Sequence, residues 1–160
     1  MKTIEDLAQA LGELEKTPDR VATLVKDLSR SAQTSRNPPT AFSILENVWH
    51  LRDIEVEGHL ARIRRLLAEE GPVLPDVDGE RLARERNYNE QLIEPAVEEF
   101  RSARLASVTT LRALPREAFE RSGTLETAGV ISLQDLVFRM RDHDRGHLED
   151  LSRLRALQKE

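Results

Sequence analysis

Apolar residues recur at intervals of three and four along almost the whole chain, and strand-like alternation of apolar and polar residues is nearly absent. The first segment shows the pattern, with one stripe formed by Ile4, Leu7, Leu11 and Leu14. This spacing is typical of amphipathic helices, and each helix must bury its apolar stripe against other helices. The sequence therefore predicts an all-α fold, an antiparallel four-helix bundle.

Capping residues and helix breakers set the expected boundaries. In the stretch SILE at 43–46, the serine hydroxyl and the glutamate carboxylate can each bind the other's backbone amide, which is the capping-box arrangement. Ser132 and Asp135 repeat this arrangement before the last long helix. Thr17 and Pro18 indicate a helix start, because threonine is a good N-cap and proline suits the first helical position. The predicted helices span 3–16, 17–29, 43–70, 80–114 (with an interruption near Pro95) and 133–158, with loops at 30–42 and 71–79 and a connector up to 131.

The expected core belongs to a single domain that spans residues 1–160. A chain of 160 residues is long enough to bury a hydrophobic core without disulfides or other staples. In the third helical region, the residues expected to face this core are Leu92, Phe100, Leu105, Val108 and Leu111.

Composition excludes several classes of function. Charged residues make up 33% of the chain with both signs interspersed and a net charge of −5, so we expect no nucleic-acid partner. The absence of cysteine excludes disulfides, thiolate catalysis and cysteine-ligated zinc, and it fits a reducing compartment. The N-terminal stretch is acidic, and no apolar run approaches the roughly 20 residues that span a bilayer. We therefore expect a cytoplasmic protein without a membrane segment.

The stretch RDHDRGHLEDL at 141–151 carries two of the four histidines, His143 and His147. Residues four apart lie on one face of a helix, so both imidazoles can bind a single ion. That face is also apolar, which directs it toward the core, where an unpaired polar group costs about 1–3 kcal/mol. Its apolar members are Leu136, Met140, Leu151 and Leu154. The burial favours a ligand role, and the alternative is an ordinary solvent-exposed pair.

A third ligand has to come from His50 or His59, which lie nine residues apart on the second long helix. Nine residues turn a helix by about 900°, so the two side chains point in nearly opposite directions and only one faces inward. His59 lies beside Arg52, Glu55 and Arg62, which is typical of a solvated face. We therefore expect His50 to be the ligand and His59 to lie at the surface.

Two other kinds of histidine site do not match the sequence. The segment HDRGH is similar to the zincin motif HExxH, but Asp144 replaces the glutamate and no histidine follows His147 as a third ligand. A di-iron bundle needs Glu-x-x-His on each of two helices, and the nearest match, Asp144 to His147, occurs once and with the wrong acid.

The stretch ENVWHLRDIE (46–55) in an early long helix, followed by RDHDRGHLEDL in the last one, resembles the DinB-like superfamily. The resemblance covers about residues 5–157. It implies a four-helix bundle, often a homodimer, that binds a divalent metal through one histidine of the second helix and an HxxxH pair of the last. Carried onto this sequence, it implies the ligands His50, His143 and His147. The superfamily includes S-transferases that use bacillithiol or mycothiol.

These features predict a divalent-metal-binding protein, a metal-dependent thiol S-transferase or hydrolase that acts on a small molecule. A bound ion lowers the pKa of water or of a thiol, and a chain without cysteine must take its thiol from a cosubstrate. We expect Zn or Ni, with Fe and Mn as alternatives, because imidazole suits several transition metals. Glu57 lies within about 20° of His50 around the helix, which makes it the candidate general base or hydrogen-bond partner.

The alternative from another class is a non-catalytic bundle in which a metal stabilises the fold or an interface. Long amphipathic helices with few aromatic residues often leave an apolar stripe for a second subunit, so we also expect a symmetric homodimer. A catalytic centre would keep a coordination position for water or substrate, whereas a structural one would be closed by a fourth protein ligand.

Overall fold

The computed structural model describes residues 2–159. Its α-helices are α1 (Ile4–Val25), α2 (Arg30–Thr34), α3 (Ile44–Asp53), α4 (Ala61–Ala68), α5 (Gly79–Glu85), α6 (Ile93–Arg112) and α7 (Leu133–Leu157). A π-helical segment, Ile54–Leu60, joins α3 to α4 in one continuous helix of residues 44–68, the second rod. Short 3-10 turns cover Tyr88–Glu90 and Arg116–Glu120, and the strands are β1 (Val73–Leu74), β2 (Ser122–Leu125) and β3 (Gly129–Ser132).

Four long rods form the bundle: α1, the second rod, α6 and α7. The first and the last of these run in the same direction. Near their starts, the Lys2 ammonium lies 4.1 Å from the centre of the Phe138 ring. Near their ends, Arg155 donates to the carbonyl of Leu24 at 2.8 Å. The four rods confirm the predicted four-helix bundle. The two contacts show that α1 and α7 form a parallel pair within it.

The second rod and α6 form another parallel pair. The Trp49 indole donates to the carbonyl of Leu92 at the start of α6, and Glu55 binds Arg104 further along both rods. The connection over residues 69–92 returns the chain to the end of the bundle where the second rod began. Bundles with a long crossover connection contain such parallel neighbours, and this connection also forms a wall of the candidate site.

The core of the bundle is divided into two apolar clusters by a polar layer. The first cluster includes Leu11, Leu14, Ile63, Leu66, Val108, Leu111, Leu136 and Met140. The second includes Val21, Ile44, Val48, Leu51, Ile93, Phe100, Leu148 and Leu151. The residues between them in each rod form the polar layer, namely Thr17, Glu55, His59, Arg104, His143 and Asp144. A polar layer of this size has to be stabilised by internal hydrogen bonds or by a ligand.

The two predicted capping boxes are confirmed at Ser43 and Ser132. The predicted break at Thr17 is wrong, because α1 continues through Pro18. Proline has no amide hydrogen, so the carbonyl of Leu14 loses its usual helical partner. The Arg104 guanidinium donates to that carbonyl at 3.0 Å, which replaces the missing bond and lets the helix continue.

The third helical region departs from its prediction in two ways. It is interrupted over residues 86–92, and Pro95 lies in the first turn of α6, where proline is tolerated. Leu92 and Leu105 were expected in the core, but they are 66% and 61% exposed. Arg104 takes the inward position that the pattern assigned to its neighbour Leu105.

A small three-stranded sheet lies in segments predicted to be loop and connector. β1 pairs with β2 in parallel, and β2 pairs with β3 in antiparallel orientation. Strands of two to four residues are too short to show alternation in a sequence, and this explains why they were not predicted. Among the described residues, no helix combines the length and the apolar content needed to cross a bilayer.

Candidate metal centre

The structure brings three histidines together where α3 meets α7. His50 comes from α3, and His143 and His147 come from successive turns of α7. One ring nitrogen of each lies within 4.8 Å of the others. The Nε2 atoms of His50 and His143 are 3.1 Å apart, and the centres of the His143 and His147 rings are 4.5 Å apart.

This arrangement fits a divalent transition-metal ion. Two nitrogens that are each about 2.0–2.1 Å from a zinc ion at a tetrahedral angle lie about 3.4 Å apart, close to the observed separation of His50 and His143. Burial and the neighbouring imidazoles lower the pKa of His50 to about 3. The same causes lower the pKa of His143, and burial lowers that of His147. All three rings are therefore neutral at neutral pH and can offer a lone pair to a metal.

Asn47 fixes the orientation of the His147 ring. Its side-chain nitrogen donates to the carbonyl of Ser43 at 2.9 Å, which leaves Oδ1 to accept from Nδ1 of His147 at 2.8 Å. Nδ1 therefore carries the hydrogen of this imidazole, and Nε2 keeps its lone pair. Sequence reasoning gave Asn47 no role, although it lies three residues before His50 and hence on the same helical face.

A cleft of about 950 Å³ opens beside the triad. His50 and His147 both line it, and His143 is not one of its lining residues. Its walls come from the loop before α3 and from the 77–90 part of the crossover connection. Gly79 permits the close packing of this connection, since a Cβ atom there would lie 2.5 Å from Cε1 of His50. The candidate centre is thus accessible to a small molecule.

The structure does not bring Glu57 to the imidazoles, contrary to the prediction. This carboxylate is exposed, and its two oxygens accept from the Arg86 guanidinium at 2.5 and 3.0 Å. The prediction assumed a regular α-helix between His50 and Glu57. The i→i+5 bonds of the π-helical segment accommodate an extra residue, which rotates the later side chains of the rod by roughly 100°.

The same rotation turns Glu57 away from the imidazoles and turns His59 toward them. The prediction that His59 lies at the surface is therefore wrong. His59 is 5% exposed, and its ring meets that of His143 edge to face with 5.4 Å between the ring centres. Nine residues of regular helix would have separated it from His50 by half a turn. Because the π-helical segment adds one residue, both side chains face the interior.

A charged network lies next to the histidines, and sequence reasoning missed it. Arg104 is 1% exposed and donates two hydrogen bonds to Glu55, at 3.0 and 2.8 Å. It donates two more to Asp144, at 2.6 and 3.0 Å, and Thr17 donates to the same carboxylate at 2.6 Å. Burial raises the pKa of Glu55, but the Arg104 charge outweighs this effect and holds the pKa below its ordinary value. The sequence contained an indication that Arg104 faces the core, because it lies four residues after Phe100 and four before Val108, on the same helical face.

Two further acids, Asp53 and Asp150, lie near the site. Asp53 is buried and accepts from Arg52, Arg86 and the Tyr88 hydroxyl. These bonds attach the crossover connection to the second rod. Asp150 lines the cleft. The acids therefore shape the surroundings of the imidazoles, and none of them joins the cluster of three.

Comparison with known proteins agrees with the sequence motif and the fold. The chain matches the DinB superfamily over residues 13–151. Its fold is similar to that of YfiT from Bacillus subtilis, described as a probable metal-dependent hydrolase with an unusual four-helix bundle topology. The TM-score is 0.82 at 19% identity, covering 94% of this chain and 88% of YfiT. No curated protein sequence matches the chain. The resemblance inferred from the histidine motifs is confirmed: the chain belongs to the DinB superfamily.

Proposed function

We propose that this protein is a divalent-metal-dependent enzyme that hydrolyses a small molecule. The observation that carries the proposal is the convergence of three neutral imidazoles, His50, His143 and His147, at the base of a cleft. Nitrogen ligands of this kind suit Zn or Ni, with Fe and Mn as alternatives. YfiT, which shares the fold, is itself described as a probable metal-dependent hydrolase.

The chain's own residues would supply binding and orientation. His50, His143 and His147 would hold the ion, and Asn47 would keep Nε2 of His147 free to bind it. Among residues 2–159, no carboxylate joins the cluster of ring nitrogens, so a coordination position is left for water or substrate. A bound ion lowers the pKa of a coordinated water or thiol and so supplies a nucleophile near neutral pH.

The volume of the cleft favours a second candidate, transfer of a low-molecular-weight thiol to a small electrophile. Small-molecule sites usually have volumes of about 300–1,000 Å³, and the cleft lies at the upper end of that range. Two small molecules, a thiol and its acceptor, can occupy such a space together. The chain has no cysteine, so the sulfur nucleophile in this reaction would come from the cosubstrate.

Metal binding is the first test. Calorimetry and elemental analysis should find one ion per chain in the wild type, and binding should weaken at least 100-fold in His50→Ala, His143→Ala and His147→Ala. Glu57→Gln is the matched control, because it changes a charged residue of the same rod outside the cluster. No binding after loading with Zn²⁺, Ni²⁺ or Mn²⁺ would contradict the proposal.

Activity is the second test. The loaded wild type should hydrolyse a member of a panel of carboxylic esters, amides and phosphoesters, and His147→Ala should not. In parallel, disappearance of a low-molecular-weight thiol in the presence of small electrophiles would identify the transferase. Tight metal binding with no turnover in either panel would favour the rival interpretation, a metal-stabilised bundle that serves as an interaction module.

We also propose that two copies form a symmetric dimer. Large apolar side chains remain exposed on the bundle, among them Leu92 and Leu105, which are more than 60% exposed. Exposed apolar surface of this kind is often covered by a second subunit. Sedimentation equilibrium at micromolar concentration should give twice the chain mass, and a mass of 18.2 kDa would reject the dimer.

A further inference from the structure

His59 is a fourth histidine next to the proposed ligands, and the hydrolase proposal gives it no role. It lies in the π-helical segment, 5% exposed, with its ring plane at 80° to that of His143. Both of its ring nitrogens are buried and have no hydrogen-bond partner among the described protein groups. Burial lowers its pKa to about 4, so the ring is neutral and offers one donor and one acceptor.

The neighbouring His143 has a matching unpaired atom. Its Nε2 faces Nε2 of His50, and its Nδ1 is buried without a partner in the described part of the chain. If Nε2 of His143 is to bind a metal, Nδ1 must carry the hydrogen of the neutral ring. A buried N–H without an acceptor costs about 1–3 kcal/mol. Ligand histidines usually avoid this cost by donating the second N–H to an acceptor in the surrounding shell.

The charged network behind His59 does not satisfy these nitrogens. Both carboxylate oxygens of Glu55 accept from Arg104, and the remaining donors of Arg104 are used by Asp144 and a carbonyl of α1. Three unpaired nitrogens therefore remain on two adjoining rings, those of His59 and His143. Buried water typically makes two to four hydrogen bonds, so one molecule can join two such rings.

We propose that His59 is a positioning residue, which hydrogen-bonds through one bound water to Nδ1–H of His143 and thereby fixes the tautomer of that ligand. The inference rests on the proposed metal site for its purpose, but the hydrogen bond itself exists with or without the ion. In the metal-free protein, His143 then accepts at Nε2 and His50 donates to it across the 3.1 Å contact.

The decisive measurement is the tautomer of His143 in the metal-free protein, read from ring ¹⁵N chemical shifts. In the wild type we expect Nδ1–H on His143, with cross-relaxation between this proton and water. His59→Phe keeps an aromatic ring against His143 but removes both nitrogens, so the Nε2–H form of His143 should become populated. His59→Gln retains an acceptor and a donor and should restore the Nδ1–H form at least in part.

Metal affinity is the second readout, measured by calorimetry with Zn²⁺ alone and by the visible absorption of bound Co²⁺. His59→Phe should weaken Zn²⁺ binding 10- to 100-fold and change the Co²⁺ spectrum, as is typical when the partner of a ligand histidine is removed. His59→Gln should recover most of the affinity. Ile63→Val, one turn further along the same rod, controls for a change in core packing.

The outcomes separate this inference from the proposed function. An Nε2–H tautomer of His143 in the wild type overturns the role of His59, whatever the metal affinity. Wild-type affinity and spectrum in His59→Phe would also overturn it, because packing alone would then suffice. A wild type that binds no metal overturns the proposed function, and the tautomer then still decides whether His59 orients His143. The wild-type tautomer needs no variant, so the test survives if His59→Phe fails to fold.

Discussion

The buried polar groups of the bundle form two halves, the charged network and the histidine cluster, which meet their hydrogen-bonding needs in opposite ways. In the charged network, Arg104 directs every hydrogen bond to a protein acceptor, and Thr17 completes the partners of Asp144. In the histidine cluster, four ring nitrogens belonging to His50, His59 and His143 have no partner within residues 2–159. A network whose bonds are complete within the protein stabilises the fold, whereas a cluster with unused nitrogens is suited to binding something else.

The two halves also differ in how many rods they connect. The charged network takes one residue from each rod of the bundle, namely Thr17, Glu55, Arg104 and Asp144. The triad takes its residues from α3 and α7 only. We infer that the network holds the four rods in register and that the histidines are positioned on a frame that forms without them. Four experiments test this division of roles, the largest expected effect first.

Removing the cation of the network should have the largest effect. Arg104→Met leaves Glu55 and Asp144 buried without a counter-charge, and breaking a buried ion pair by removal of one partner costs about 3–5 kcal/mol. Urea unfolding monitored by circular dichroism measures the loss. Arg101→Met, at an exposed ion pair one turn earlier on α6, should cost less than about 1 kcal/mol. Equal losses in the two variants would contradict a structural role for the network.

Acid should destabilise the metal-free protein through the histidines first. The pKa of His59 is about 4 in the folded protein and near 6.5 when unfolded, so between these values the unfolded chain binds more protons. The contribution of His59 to the free energy of unfolding is therefore fully present above about pH 6.5. It decreases by roughly 3 kcal/mol as the pH falls toward 4. Urea titrations across this range should show a smaller slope for His59→Phe, and an equal slope in both proteins would disprove the assignment.

Removing the partner of His147 should weaken metal binding without unfolding the protein. Asn47→Ala deletes the acceptor that keeps the hydrogen on Nδ1, so we expect Zn²⁺ affinity to fall 10- to 100-fold. Calorimetry measures the change. Asn89→Ala removes another amide at the cleft that contacts Ser43 rather than a histidine, and it should leave the affinity within about threefold. A larger loss from Asn89→Ala than from Asn47→Ala would refute this role.

The smallest effect is expected at Glu57. Its carboxylate is engaged by Arg86 at the surface, so Glu57→Gln should change Zn²⁺ affinity by less than twofold. Competition with a chromophoric chelator is sensitive enough to detect that change. A tenfold loss of Zn²⁺ affinity would contradict this expectation and would support the sequence-based prediction that Glu57 acts at the metal centre.

Regular α-helical geometry explains which parts of the fold and site were predictable. The HxxxH pair lies within the uninterrupted helix α7, so a step of 100° per residue places both side chains correctly. The two capping boxes depend on residues three apart, and both were found. The three histidines could be predicted from the sequence because His50, the member on the second rod, lies before the π-helical segment.

The wrong predictions concern residues whose conformation depends on partners that are distant in the sequence. The continuity of α1 through Pro18 depends on Arg104, 86 positions later, whose guanidinium replaces the missing helical bond. The inward position of Arg104 depends on two carboxylates from other rods. His59 and Glu57 were misplaced because local periodicity gives no indication of a π-helical segment. Pairing across the bundle, rather than propensity, decides these positions.

The π-helical segment makes the length of the second rod as informative as its composition. Deleting one residue of the segment before His59 would restore ordinary α-helical bonding there and leave the later side chains in their present orientation, because the lost residue and the lost π-helical rotation cancel. The fourth imidazole would then follow His50 by eight residues, which turn a regular helix by about 800°, so both side chains would still face the interior. A relative with a single-residue gap here would therefore need no π-helical segment to bring the same four histidines together.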